Sequence, residues 1–158
     1  MTPLITFLES SRPALLSDLA ALVNVDCGTH NKAGVDRVGE WVGARCAKWG
    51  WEVERFPQVE YGDCWLARLR GNGAGRILLI GHLDTVYPDG TAAARPMRVE
   101  GNKILGPGVC DMKGGLLVGM YALRALQTTG FRDFAELAFF FNSEEEVSSP
   151  VSRPLYAP

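Results

Sequence analysis

Apolar residues recur along the chain with two periods, and the changes between them mark its elements. Leu15, Leu16, Leu19, Leu22 and Val23 fall at helical spacing within residues 13–24, with Ser17 and Asp18 on the other side, which predicts an amphipathic helix. A second helix is predicted over about 33–49. There Val35, Val38, Trp41, Val42 and Cys46 form one stripe, and Gly50 takes the position favoured just past a helix end. Three strand-like runs follow, WEVERF at 51–56, CWLARLR at 64–70 and RILLIGH at 76–82, separated by PQVEYGD and the turn GNGAG. The third run is apolar on both faces, so it is expected in the middle of a sheet covered by helices on both sides. MRVEGNKIL at 97–105 alternates about Gly101 and Asn102 and reads as a small hairpin. GGLLVGMYALRALQTTG at 114–130 is apolar nearly all round, the pattern of a buried helix ended by Gly130, and ELAFFFN at 136–142 is a further buried strand. Helices alternating with strands predict an α/β fold, a mixed and mostly parallel sheet sandwiched by helices. In such folds functional groups gather outside the carboxyl ends of the strands.

Composition narrows the class. At 158 residues the chain can bury roughly 70% of the surface its unfolded form exposes, enough for a real core. Its 47% apolar and 22% charged residues are those of an ordinary globular domain, which argues against disorder. A net charge of -2 offers no footprint for nucleic acid or an anionic membrane surface, so neither is expected as a partner. Cys27, Cys46, Cys64 and Cys110 form no C-x-x-C pair and read as reduced thiols of a cytoplasmic protein. The N-terminal residues show no export signal, and no run approaches the ~20 apolar residues that span a bilayer.

Three polar clusters stand at strand or helix ends: GHLDT after the 76–82 run, GPGVCDMKGG before the 114–130 helix, and NSEEE after the 136–142 run. In an extended chain His82 and Asp84 project to the same side, so the carboxylate can accept one imidazole N–H and leave the other nitrogen free for a metal. Taken alone, the pair also fits a hydrogen-bonded core histidine. Asp111 could simply cap the following helix. GPGVCDMKGG is not a phosphate loop, because Lys113 is followed by no hydroxyl residue, and it is not a dinucleotide fingerprint, because Asp111 stands where the third glycine belongs. Glu144, Glu145 and Glu146 could form a solvated turn, but carboxylates crowded at the end of a very apolar strand repel one another unless a cation offsets them. Imidazole plus carboxylates is a donor set for Zn²⁺ or a similar cation. In a dinuclear hydrolase one carboxylate would bridge two metals, a part open to Asp111, while a neighbouring glutamate moved the proton.

GHLDTVYPDG, MRVEGNKILGPGVCDMKGG and FFFNSEEE, in this order and at these separations, closely resemble the dizinc aminoacylase and carboxypeptidase family of metallopeptidases. That family includes acetylornithine deacetylase, succinyl-diaminopimelate desuccinylase and bacterial glutamate carboxypeptidase, and the last branch is the nearest. The resemblance spans nearly the whole chain. It implies that His82 is a ligand of one zinc with Asp84 as its orienter, that Asp111 bridges both zincs, that Glu145 is the general base and that Glu146 binds the other zinc. A register shifted by one, with Glu144 as base, is the alternative. It also implies a cis peptide at Asp111. The implied reaction is zinc-dependent hydrolysis of an amide in an acyl-amino acid or small peptide, of the glutamate carboxypeptidase kind or of the acetylornithine deacetylase and desuccinylase kind. Co²⁺ or Mn²⁺ would suit the same ligands.

The family pattern continues past Pro158 with an acidic ligand for the His82 zinc, a histidine for the other and a smaller dimerising lid domain. Residues 1–158 are therefore expected to be the N-terminal part of a metallopeptidase catalytic domain, with the homodimer a property of the longer protein. Each zinc would keep two protein ligands here, against the three usual at a catalytic zinc. Weak metal binding and little activity are expected of these residues alone, the limiting case being a non-catalytic stub. His30, in CGTHNKAG, matches no ligand and is expected to be a solvated loop residue.

Overall fold

The computed structural model describes residues 2–156. The chain runs α1 (Pro3–Val23), α2 (Lys32–Lys48), β1 (Glu52–Phe56), β2 (Cys64–Arg70), β3 (Arg76–His82), α3 (Thr91–Ala94), β4 (Arg98–Glu100), β5 (Lys103–Leu105), a π-turn (Val109–Lys113), α4 (Gly114–Thr128), β6 (Glu136–Asn142), a 3₁₀ turn (Glu145–Val147) and α5 (Arg153–Tyr156). The mixed α/β class is as the pattern predicts. So is the hairpin of β4 and β5, and α2 ends as expected, with Gly50 at φ 81° just beyond it.

Four elements depart from expectation. Helix α1 starts ten residues earlier than the apolar stripe, because Thr2 caps it and Pro3 occupies its first turn, where a missing N–H costs nothing. Its first half carries Leu4, Ile5 and Leu8 exposed, so hydrophobic periodicity could not reveal it. The main sheet has the order β1-β2-β6-β3, and of its three pairings only β3 with β6 is parallel. Strand β3 is thus an edge, and the central buried strand beside it is β6. Helix α4 is not buried all round either, since Val118 is 64% exposed. From the sequence Ser149 and Pro150 could cap and begin a last helix that Pro154 disfavours, but the helix begins at Arg153, with Ser149 at φ 53° in the preceding turn.

The long helices cover one face of the sheet. Leu19, Leu22 and Val23 of α1, Val35, Val38 and Val42 of α2, and Leu116, Leu117 and Met120 of α4 form a single core with Ala67, Leu69, Leu137, Phe139 and Phe141. Helix α4 lies close on β6 because Gly119 leaves room for Phe139, whose ring would meet a Cβ there at 2.5 Å. Asp18, buried between the helices, accepts from Arg45 at 2.6 Å and from the Tyr121 hydroxyl at 2.8 Å, tying α1 to α2 and α4. The opposite face, expected to be covered as well, is largely open: Leu78 and Ile80 are exposed, and among the described residues α5 alone leans on it, through Tyr156 on Phe140. A cavity of about 350 Å³ remains between α5 and Leu66, Leu78 and Ala138. Among the described residues no helix is long and apolar enough to cross a membrane.

Candidate metal centre

The parallel pairing of β3 with β6 decides where the site lies. His82 pairs with Asn142, so both strands deliver their carboxyl ends to one edge, and the Leu83 N–H bonds to the Asn142 carbonyl at 2.7 Å. The loops GHLDT and NSEEE leave from there side by side. The third loop arrives from the other direction. Gly108, at φ 72° and with the space of its absent Cβ taken by Thr85 Cγ2 at 2.8 Å, lets the chain turn in against Thr85 and then into α4. Lys113 is buried and donates to the Val25 carbonyl at 3.0 Å, which pins this loop to the end of α1. The Asp111–Met112 peptide is cis, in agreement with the resemblance.

His82 is 3% exposed, with Nδ1 against the Asp84 carbonyl at 3.0 Å and Asp84 Oδ1 at 3.2 Å. That leaves Nε2 facing outward, 2.8 Å from Asp111 Oδ1 and 4.0 Å from Glu145 Oε2. Burial pushes the imidazolium toward deprotonation, but its hydrogen bonds to Asp84 and Asp111 and the nearby charges of Asp84 and Glu145 outweigh burial and raise its pKa to about 9. Asp84 shows the opposite balance: burial pushes its carboxyl up, while hydrogen bonds from His82, Thr29 and the Glu146 N–H hold it below the usual range. Glu146 is raised by burial and by the surrounding charges of Asp111, Asp84 and Glu145, against the pull of His82. A carboxyl raised by neighbouring carboxylates, as Glu146 is, marks a place where a cation would be stabilising.

Ligand atoms of His82, Glu145 and Glu146 lie within 4.8 Å of one another, and Asp111, outside that group, adjoins it through its contact with His82 Nε2. The structure thus gathers all five residues singled out from the sequence. Their exposures differ in a telling way: Asp84 is fully buried, whereas the side chains of Asp111 and Glu145 are 73% and 54% accessible. Glu144 turns the other way. Its buried carboxylate accepts from Ser143 Oγ at 2.7 Å and from the N–H groups of Val151 and Ser152 at 3.2 and 2.6 Å, so it holds the chain after the turn rather than facing the cluster. Thr29 was not legible from the sequence. Its hydroxyl donates to Asp84 Oδ2 at 2.7 Å across 55 residues, and nothing local in CGTHN marks it. His30 is exposed, as expected, and with Asn31 and Lys32 lines a cavity of about 680 Å³ bordered by Glu146.

An imidazole nitrogen with its partner nitrogen anchored, set among carboxylate oxygens, is the donor set of a divalent cation. Residues 78–157, from β3 to just past α5, match the profile of peptidase family M20/M25/M40. The chain belongs to this peptidase family. Relatives in it include carboxypeptidase G2 of a Pseudomonas species, 37% identical over 146 residues that are 91% of this chain and 35% of the relative. N-acetyl-L-citrulline deacetylase of Xanthomonas campestris is 30% identical over 137 residues, 85% of this chain and 35% of the relative. The chain therefore spans about a third of the length of these M20/M25/M40 relatives. The fold agrees: human carnosine dipeptidase 1 superposes with a TM-score of 0.83 at 18% identity, over 97% of this chain and 36% of that one. The family's metallo-carboxypeptidase Sso-CP2 of Sulfolobus solfataricus gives 0.73 at 18% identity, over 84% and 31%.

Proposed function

We propose that this chain carries the N-terminal half of a dizinc centre that hydrolyses amide bonds in acyl-amino acids or small peptides. The observation that carries the reading is the cluster of His82, Glu145 and Glu146 within 4.8 Å, with Asp111 at 2.8 Å from the free nitrogen of His82. The donors fit the group: the imidazole–carboxylate contact is the kind a cation seated between the two replaces. His82, Asp111 and Glu146 would hold metal, with Asp111 shared between two ions. When bound, a divalent cation polarises the amide carbonyl and brings the pKa of water toward ~7.

The protein's own contributions follow from position. Asp84 accepts at His82 Nδ1, so a metal taking the place of the proton that Nε2 shares with Asp111 would meet the Nε2 lone pair. Glu145 is exposed and beside the cluster, suited to take a proton from the attacking water and return it to the departing amine. The cavity bordered by Glu146 offers room for a substrate group next to the reacting carbonyl. Among relatives, carboxypeptidase G2 has the highest of the identities given above, so a carboxypeptidase acting on an acylated amino acid is the first activity to test. The activity is assigned to a protein of the relatives' length, which would also supply the remaining ligands and a dimerising domain, in the reducing compartment that four free cysteines fit. Residues 1–158 alone, with two ligands per metal, would bind zinc weakly and turn over little.

The test is zinc-dependent release of free amine from a panel of N-acylated amino acids by the protein at its native length. Hydrolysis lost in Glu145→Ala, with folding unchanged, is the expected result. No hydrolysis of any member with two zinc equivalents present, or full activity in Glu145→Ala, would refute the assignment.

A further inference from the structure

The Asp84 carboxylate is where three loops meet. Oδ1 takes His82 Nδ1 at 3.2 Å and the Glu145 N–H at 3.1 Å, while Oδ2 takes the Glu146 N–H at 3.3 Å and the Thr29 hydroxyl at 2.7 Å. One oxygen therefore aims the imidazole, and both hold the backbone of the turn that carries two of the clustered glutamates. The orientation of this one carboxylate sets the relation between the two halves of the site. Of its four side-chain contacts, the Thr29 bond is the shortest.

Thr29 is itself held without its side chain. Its N–H donates to the Thr85 carbonyl at 3.1 Å, and the Thr85 N–H donates to the Cys27 carbonyl at 2.9 Å, forming a short parallel bridge between Gly28 and Thr85. Thr29, 5% exposed, thus delivers its hydroxyl to Asp84 on a fixed backbone. Without it, Oδ2 would keep a single contact at 3.3 Å, and the carboxylate could swing about its last bond.

We propose that Thr29 is a positioning residue, whose hydroxyl locks the Asp84 carboxylate and through it fixes both the aim of His82 Nε2 and the placement of the Glu145–Glu146 turn. Its consequence for metal rests on the dizinc reading above. Its consequence for the backbone does not.

The test compares Thr29→Val, which keeps the shape and removes the hydroxyl, with Thr29→Ser, which restores it, and Thr29→Ala, which adds no bulk should valine prevent folding. Amide hydrogen exchange of Glu145 and Glu146 is measured by NMR in metal-free protein, with the Leu83 amide, bonded to Asn142, as control. Exchange at Glu145 and Glu146 is expected to quicken about tenfold or more in the valine and alanine variants and to return in serine, with Leu83 unchanged. Zn²⁺ and Co²⁺ affinity should fall in parallel by about 10–100-fold, the usual effect of removing a partner behind a ligand, and recover in serine. Unchanged exchange at both amides, equal quickening at Leu83, or serine behaving like valine would overturn the proposal. The amide pattern as expected, in a native-length protein that binds no metal, would sink the dizinc reading and leave the positioning role supported.

Discussion

Replacing Asp84 by Asn changes one atom and should disable both sides of the site. The carboxylate is fully buried and accepts four bonds, two on each oxygen. An amide presents NH₂ in place of one oxygen, so two donors then face a donor. If the NH₂ replaces Oδ1, His82 can adapt by accepting at Nδ1, but the Glu145 N–H stays stranded. If it replaces Oδ2, Thr29 can turn its hydroxyl to accept, but the Glu146 N–H stays stranded. Either way one buried backbone N–H loses its partner, at about 1–3 kcal/mol, and the charge-assisted contact to His82 weakens as well. A total near 2 kcal/mol lowers the melting temperature of a domain of this size by roughly 4–8 °C. The first orientation also moves the His82 proton to Nε2 and removes the lone pair a metal needs, so zinc affinity should fall by about 10–100-fold or more. Thermal unfolding by circular dichroism and chelator competition for zinc measure the two effects separately. A melting temperature within a degree of the parent, together with unchanged zinc affinity, would show that Asp84 does not organise the site.

Four further outcomes are expected. Glu144→Ala should cost about 2–4 kcal/mol in urea unfolding, since it strands the N–H groups of Val151 and Ser152 and leaves a void, whereas Glu145→Ala on the surface should stay within ~0.5 kcal/mol. Gly119→Ala should destabilise by up to about 2 kcal/mol despite a helix gain of ~1, because its Cβ would stand 2.5 Å from the Phe139 ring, itself stacked on Phe141; a rise in urea midpoint would contradict this. A thiol reagent at pH 8 should modify the exposed Cys110 and spare Cys46 and Cys64, whose thiols burial pushes up to about 12 and about 11, with all four reacting in guanidinium. Asp63 is pushed up by burial but held below 3.8 by Lys32, the Gln58 N–H and Arg55. A depressed folded pKa stabilises above the unfolded value and is lost as pH falls through the folded one, so Asp63→Asn should cost more at pH 6 than at pH 2.5 in urea titrations.

The part of the site carried on strand ends was legible, and the part carried on long-range contacts was not. His82, Asp84 and the glutamate run follow apolar strands, so short apolar runs and their abrupt ends sufficed to place them at strand ends. Those ends share one edge, although the sheet around it is mostly antiparallel, because only the β3–β6 pairing needed to be parallel to bring the loops together. The position of β3 was misread because apolar residues on both faces look alike whether helices or open surface lie beyond them; Ile80 and Leu78 are exposed here. The first half of α1 escaped because its apolar residues bury nothing, and Thr2-Pro3 was the signal to use. Within Glu144–Glu146, adjacency alone could not tell which carboxylate turns inward, where Glu144 accepts from the N–H of Ser152, eight residues on. Thr29 illustrates the same limit at longer range, where a hydroxyl has no signature until the fold supplies its acceptor.

The central proposal is that Asp111 joins two divalent metals, one also held by His82 Nε2 and the other by Glu146. Anomalous diffraction from crystals grown with excess zinc, recorded on both sides of the zinc edge, addresses it most directly. The expected result is two edge-dependent peaks, one between His82 Nε2 and Asp111 and one between Asp111 and Glu146, with Glu145 unbound beside them. A peak only at surface carboxylates elsewhere, with the His82–Asp111 contact intact, would contradict it.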